Sequence, residues 1–275
     1  MSGSAVDAAR QYYDSSDADN FYFEIWGGED IHIGLYKDEK EPIFEASRRT
    51  VEEMASRLNN INSSSKVLDI GSGFGGAARF LAKNYNCHVT ALNLSPVENE
   101  RNRKMNKEQG LDSLIKVVDG NFESIPAEDE SFDIVWSQDA ILHSADREKV
   151  IKEVHRVLKS GGEFIFTDPM QADDCPEDKL QPIYDRIHLE SLGSPGFYRE
   201  ACKKLNMKEL GYEDYLKHLS NHYFRVLKET EKQEDKLQEK VSKDYISNMK
   251  KGLKHWVEGG EKGYLEWGIF HFFKQ

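Results

Sequence analysis

The sequence predicts an α/β protein with a doubly wound, mostly parallel sheet, and three observations predict it. Five apolar runs, VLDI (67–70), HVTALNL (88–94), IKVVDG (115–120), SFDIVWSQD (131–139) and GEFIFTDPM (162–170), alternate with helical segments. Strands that alternate with helices imply parallel pairing through crossovers. The runs are almost continuously apolar, as strands buried on both faces are. A glycine-rich turn, GSGFGG (71–76), follows the first run and opens a helix.

Residues 5–26 are expected to be helical and carry Tyr12, Tyr13, Phe21, Tyr22, Phe23 and Trp26 as a dense aromatic cluster. Such a cluster faces the core or forms a lid over a ligand. GGEDIHIGLY (27–36) is a turn too apolar for a plain surface loop. Residues 41–60 place Phe44, Val51, Met54 and Leu58 at helical spacing. Between the strands, helices are expected over 75–84, over 96–109 with Gly110 as its stop, and over 146–158 before a Gly-Gly turn. After Pro169 the rhythm stops, and 171–215 reads as an insertion after the fifth strand, helical again at 198–206. Residues 225–244 predict a highly charged helix with solvated faces. YLEWGIFHFFK (264–274) is strand-like and is expected to complete the sheet as a C-terminal edge hairpin.

A chain of 275 residues with 38% hydrophobic and 11% aromatic content can bury a sizeable core. Its net charge of −12 disfavours nucleic acid and anionic membranes as partners. Cys87, Cys175 and Cys202 are odd in number and far apart, so neither a disulfide framework nor a metal site is expected. MSGSAVDAARQYYD lacks the apolar stretch of a signal peptide. No run approaches the roughly 18 apolar residues of a membrane span. The expected location is cytoplasmic.

The glycine turn reads D-x-G-x-G-x-G, with Asp69, Gly71, Gly73 and Gly75. Glycines at a strand-to-helix junction let the backbone approach a nucleotide-like ligand closely. No lysine follows to grip phosphates, which argues against a nucleoside triphosphatase. An acidic group at Asp69 repels a pyrophosphate and suits a cationic ligand.

VLDIGSGFGG (67–76), ALNLS (91–95), VVDGNFESIP (117–126), FDIVWSQDAILH (132–143) and RVLKSGGEFIFTD (156–168) together resemble the class I S-adenosylmethionine-dependent methyltransferases. The resemblance implies a seven-stranded, Rossmann-like sheet with an N-terminal helical lid, and S-adenosylmethionine as cofactor with S-adenosylhomocysteine as product. It implies that Asp69, Gly71 and Gly73 line the amino-acid end of the cofactor. Asn93 stands where the family usually carries an acid for the ribose hydroxyls, and Glu98 is the candidate for the missing carboxylate. Leu94 adjoins them. Asn121 and Phe122 fall at the adenine position, the amide near the exocyclic amine and the ring to stack. Gln138 and Asp139 fall at the mouth where cofactor and acceptor meet.

YYDSSDADNFYFEIWGGEDIHIGLY (12–36), WSQDAILHS (136–144), NMKKGLKHWVEGG (248–260) and LEWGIF (265–270) resemble the sarcosine and dimethylglycine N-methyltransferases of glycine betaine synthesis. The D-A-I-L-H pattern is shared with phosphoethanolamine N-methyltransferases, and glycine/sarcosine N-methyltransferases are close alternatives. The resemblance implies Tyr13, Asp139 and His143 as catalytic residues, with Asp139 and His143 sharing a face at a helix start. It adds Tyr22, Trp26, Ile31 and His32 on the cofactor side. For the substrate it offers Met170, Arg186, His188 and Tyr198, with Arg186 first in line for the carboxylate and Arg199 behind it. A guanidinium suits a carboxylate bidentately, and aromatic faces favour a quaternary ammonium by about 0.5–2 kcal/mol per ring. RIHLES (186–191) stands where the phosphobase enzymes carry a more cationic run, which points to a carboxylate acceptor. The alternative for His143 is a packing histidine.

The division that follows is 1–60 as lid and helix, 61–170 as cofactor-binding core, 171–215 as substrate-side insertion, and 216–275 as C-terminal helices and closing strand. The partner implied is a small amino acid, sarcosine or dimethylglycine, with the protein a monomer or homodimer. A nicotinamide-dependent dehydrogenase is the rival enzyme reading, disfavoured by Asp69. A non-enzymatic binding module is disfavoured by Asp69, His143 and the aromatic N-terminus.

Overall fold

A computed structural model describes residues 15–187 and 189–275. Tyr12, Tyr13 and His188 therefore lie outside the described residues. Helix α1 (Ser16–Trp26) starts under a Ser15 cap, and α2 (Ile43–Ser56) buries Val51 and Met54. Then come β1 (Lys66–Ile70), α3 (Gly76–Tyr85), β2 (His88–Asn93), α4 (Pro96–Glu108), β3 (Ile115–Asp119) and β4 (Phe132–Gln138). Helix α4 has Ser95 as N-cap and proline in its first turn, where the missing N–H costs nothing. After α5 (Arg147–Val157) and β5 (Leu158–Thr167) the chain makes β6 (Met170–Gln171), α6 (Gln181–Ile187), α7 (Pro195–Lys204) and β7 (Met207–Asp214). It closes with α8 (Leu216–Lys232), α9 (Glu234–Leu237), α10 (Lys243–Glu261), β8 (Leu265–Glu266) and β9 (Gly268–Lys274).

Among the described residues, seven strands form one sheet in the order β3-β2-β1-β4-β5-β9-β7. β1 to β5 pair in parallel, and β9 runs antiparallel to both its neighbours. Successive side chains alternate faces. Val67, Ile134, Trp136 and Ile165 pack on one face, and Leu68, Val135, Phe164 and Phe166 on the other. Phe166 stacks on Phe164 and Phe270 at centroid distances of 4.6 and 5.2 Å, which seats β9 against β5. A third apolar cluster, with Phe21 and Trp26 against Val226, Ile246 and Leu253, fastens α1 to α8 and α10.

Three expectations are corrected here. The C-terminal strand is not an edge hairpin. β9 lies inside the sheet, β7 takes the edge, and Leu265–Glu266 pairs with Met170–Gln171 in a separate ribbon. The reason is burial: six of the seven residues of β9 are buried, but only Met207 of β7 is. A polar edge strand such as MKELGYED carries no apolar signal, and it removes 207–214 from the expected insertion. The charged helix of 225–244 is also not continuous. It breaks after Lys232, and α10 restarts at Ser242, whose side chain accepts the Tyr245 N–H.

Candidate active site

The carboxyl ends of β1, β2 and β4 meet at a cleft of about 980 Å³, where ligands of open α/β sheets bind. The glycine turn forms its floor. Gly71, Gly73 and Gly75 all take positive φ, at 74°, 49° and 79°. Gly71 and Ser72 donate their N–H groups to the Leu92 carbonyl, which stitches the turn to β2. A Cβ on Gly71 would overlap that of Ala140, and one on Gly73 would lie 3.0 Å from Ile31 Cδ1. The turn therefore has no room for a side chain where it faces the cleft.

Asp69 is buried, and its Oδ2 has no hydrogen-bond partner. Burial pushes its carboxyl up to about 7, with Asp30 adding to the effect and His32 opposing it. Asn93 donates to Glu98 Oε2 at 2.8 Å, so amide and carboxylate act as one unit at the end of β2. Asn121 and Phe122 line the cleft beyond β3, with Leu94 beside them. Gln138 accepts from Trp136 Nε1, and its own amide nitrogen is buried without a partner. Glu29, Asp30 and Glu123 also line the cleft; the sequence reading missed them, although the acidic pair in GGEDIH was the available signal. Among the described residues no lysine or arginine lines it.

A second chamber adjoins the cleft, and Tyr22, Ile31, His32, Asp139 and His143 border both. Trp26, expected at the cofactor, lines only the chamber, and its indole donates to the His32 carbonyl. Arg186 lines the chamber too, against Met249 of α10. His222, Tyr223 and Trp256 complete the aromatic wall. These come from α8 and α10, where no spacing in the sequence marked them.

Asp139 and His143 do not share a helix face, which corrects the expectation. Asp139 adopts a left-handed conformation, φ 49°, and a single 3-10 turn, Ile141–His143, follows it. Both still reach the shared wall. The Asp139 carboxylate is engaged at both oxygens: Oδ2 accepts from Ile33 N, and Oδ1 from Thr167 Oγ1 and Trp267 Nε1, at 2.7–2.8 Å. His143 is half-buried, and its desolvation pushes its pKa down to about 4, with Arg147 and Arg186 reinforcing the shift. It is neutral at pH 7. The turn that carries it is clamped: Leu142 donates its N–H to Asp168 and accepts at its carbonyl from Arg147.

Met170 and Tyr198 do not belong to either cavity. Met170 is fully buried in the core. Tyr198 is equally buried, packs on Phe166, and donates its hydroxyl to Asp168 Oδ2 at 2.6 Å. Arg199 pairs with Glu209 on the surface. The apolar environment after β5 explains both misplacements, because pocket-lining and core aromatics look alike in sequence.

A buried carboxylate with one unpartnered oxygen, a cleft lined among the described residues by acids and no lysine or arginine, and a glycine cradle suit a cationic nucleoside and repel a dinucleotide pyrophosphate. On that ground and on its fold, the protein is a class I S-adenosylmethionine-dependent methyltransferase. Residues 68–166 match the methyltransferase domain family. Over 98% of its length the chain is 61% identical to a sarcosine/dimethylglycine N-methyltransferase of Halorhodospira halochloris, covering 97% of that protein. It is 52% identical over 97% of its length to one of Aphanothece halophytica, covering 96% of it. A crystal structure from Galdieria sulphuraria, 45% identical, superposes with a TM-score of 0.91 over 96% of this chain and 99% of that one. The chain belongs to the sarcosine/dimethylglycine N-methyltransferase family.

Proposed function

We propose that this chain methylates the nitrogen of sarcosine and dimethylglycine, towards glycine betaine. The observation that carries this reading is the wall shared by cleft and chamber, where His143 and Tyr22 border both spaces. In-line transfer needs donor and acceptor to meet at one such boundary. When bound, S-adenosylmethionine supplies a sulfonium methyl whose leaving group is a neutral thioether.

The chain's own residues do the rest. Asp69, with Asp30 beside it, receives the cofactor's ammonium, and the Asn93–Glu98 unit holds its ribose hydroxyls. Phe122 and Asn121, flanked by Leu94, take the adenine, and Gln138, Ile31 and His32 close the cleft. Tyr22 and Trp26 offer aromatic faces to the ammonium that forms on the acceptor.

The acceptor enters as an ammonium and must lose a proton before its lone pair can attack. A neutral His143 nitrogen accepts a hydrogen bond from the N–H of that ammonium and orients it; the N–H bond then breaks, the proton passes through His143 to a solvent water, and the nitrogen keeps the electron pair for attack. Tyr13, outside the described residues, is the proposed partner of His143. Arg186 pairs with the acceptor's carboxylate, and His188, also outside the described residues, is a further candidate. Among the described residues Arg186 is the one permanent cation lining the chamber, which matches a monocarboxylate better than a phosphate dianion. In this reading residues 1–60 cover the site, 61–170 hold the cofactor, and the inserted stretch supplies the substrate side. The proposed setting is the cytoplasm; among the described residues no helix is long and apolar enough to cross a membrane.

The test is a panel of glycine, sarcosine, dimethylglycine and phosphoethanolamine with labelled cofactor, products resolved by mass. Sarcosine and dimethylglycine are expected to be methylated and phosphoethanolamine not. Methylation of phosphoethanolamine alone would overturn the reading.

A further inference from the structure

His222 is a buried polar group in the chamber that the reading above leaves without a task. It sits on α8 and is fully buried. Its Nδ1 accepts the Gly34 N–H at 3.2 Å and lies 2.9 Å from the Tyr36 hydroxyl. A backbone amide only donates, so Nδ1 is the unprotonated ring nitrogen, and the network assigns the proton of the neutral imidazole to Nε2. Burial keeps the ring neutral, with its pKa pushed down to about 3. Nε2 is buried and has no hydrogen-bond partner, while the ring lines the chamber between Trp26 and Tyr223 at centroid distances of 5.4 and 5.7 Å.

The segment that sets this tautomer is rigidly held. Leu35 donates its N–H to the Ala46 carbonyl, and a Cβ on Gly34 would run into the backbone of Ala46 and Ser47. Gly34 must be glycine for the loop to come this close to α2. The Nε2–H direction is thus built into the fold.

A buried donor expects an acceptor. Asp139, the carboxylate among the described residues that line the chamber, already accepts from three donors. Arg186 adds further donors and no acceptor. The described lining therefore offers, at His222 Nε2, a buried donor without a hydrogen-bond partner. We propose that the His222 Nε2–H, together with Arg186, binds the carboxylate of the amino-acid acceptor. A neutral donor suits this place: it orients the carboxylate without adding positive charge beside a quaternary ammonium product. The inference rests on the reading of the chamber as the acceptor site.

The direct test uses the wild-type protein with ¹⁵N-labelled histidine, saturated with S-adenosylhomocysteine, and reads ring tautomers by NMR. The His222 resonance is identified by its loss in His222→Gln. It should report the Nε2–H tautomer and shift with dimethylglycine but not with N,N-dimethylethanolamine, which has no carboxylate. An Nδ1–H tautomer, or a resonance indifferent to saturating dimethylglycine, overturns the proposal. In kinetics, His222→Phe keeps a ring and removes the donor. KM for dimethylglycine should rise about tenfold, the worth of one neutral hydrogen bond of about 1.4 kcal/mol, with S-adenosylhomocysteine affinity unchanged. His222→Gln should recover part of the loss. A fall in kcat with unchanged KM would make the role structural and overturn the proposal. If the wild type methylates no amino acid, the reading of the chamber fails and this inference with it. If it does and His222 does not respond, only this inference fails.

Discussion

The Asp139 carboxylate accepts the Trp267 indole N–H at 2.8 Å, which ties the end of β4 to the residue that precedes β9. The same carboxylate holds Ile33 of the loop after α1. Asp139 is therefore a tether joining sheet, the loop after α1 and the C-terminal strand, with both of its oxygens engaged by donors. Asp139→Asn turns one acceptor into a donor and leaves at least one buried N–H unpaired, a cost of about 1–3 kcal/mol. Tm should fall by several degrees, at about 2–4 °C per kcal/mol near this chain length, and kcat should fall with it. An unchanged Tm with abolished turnover would instead make Asp139 a proton acceptor.

Asp69 couples cofactor binding to pH. Its carboxyl, raised to about 7 from 3.8 by burial, favours the folded state below pH 3.8 and loses that contribution as pH rises through about 7. An ammonium placed against it reverses the shift. Binding of S-adenosylhomocysteine at pH 7 should release a fraction of a proton, seen by calorimetry in buffers of different ionisation enthalpy. Asp69→Asn should abolish the release and weaken binding about ten- to a hundredfold, the worth of a charged hydrogen bond of about 1.5–3 kcal/mol.

Gly71→Ala should abolish cofactor binding, since the new Cβ meets Ala140 and φ is 74°. Gly110→Ala is the matched comparison: its φ is 67° but nothing lies within 4 Å of an added Cβ. It should cost only the backbone strain, about 1–2 kcal/mol, and leave affinity intact. Equal affinities in the two variants would mean that the glycine turn does not touch the cofactor.

His143→Ala should lower kcat about a hundredfold or more, the usual worth of a proton-handling group, while S-adenosylhomocysteine affinity holds. Because His143 is neutral above about pH 4, the rate should rise with pH along the acceptor's own ammonium titration and show no step near 6.5. On stability the sign is opposite to that of Asp69. Neutral burial of His143 favours folding above pH 6.5, and the contribution is lost as pH falls through about 4. A parallel loss of kcat and cofactor affinity would make His143 a packing residue.

Tyr198→Phe separates core from pocket. It deletes the hydroxyl that bonds Asp168 and leaves one buried carboxylate oxygen short of a donor. The expected result is a Tm lower by several degrees with KM for dimethylglycine unchanged. A raised KM at constant Tm would return Tyr198 to the substrate site.

The cofactor half was legible because its signals are local. An apolar run, Asp69 and four glycines lie within ten residues, and Asn93 with Glu98 within six. The acceptor half was legible only in part. Arg186, Tyr22 and Trp26, named from the sequence, all line the chamber, and Trp26, expected at the cofactor, lines only the chamber. Met170 and Tyr198 pack in the core instead, because a buried apolar or aromatic side chain reads the same whether it faces a cavity or a core. The β7 edge and the break between α8 and α10 were hidden by polar sequence, which carries no period.

By itself the sequence determined the doubly wound sheet, the glycine cradle and the demand for a cationic ligand, since each follows from residues adjacent in the chain. Tertiary structure alone decided which groups share the second chamber. Trp26, Asp139, Arg186, His222 and Trp256 come from five separate segments and meet only when α1, α8 and α10 pack over the sheet. Tertiary contacts also turned Asp139 into a tether, left His143 neutral, and placed His222 on the chamber wall with its Nε2 buried and without a partner. Burial and hydrogen-bond saturation set those properties, and they arise from neighbours distant in the chain.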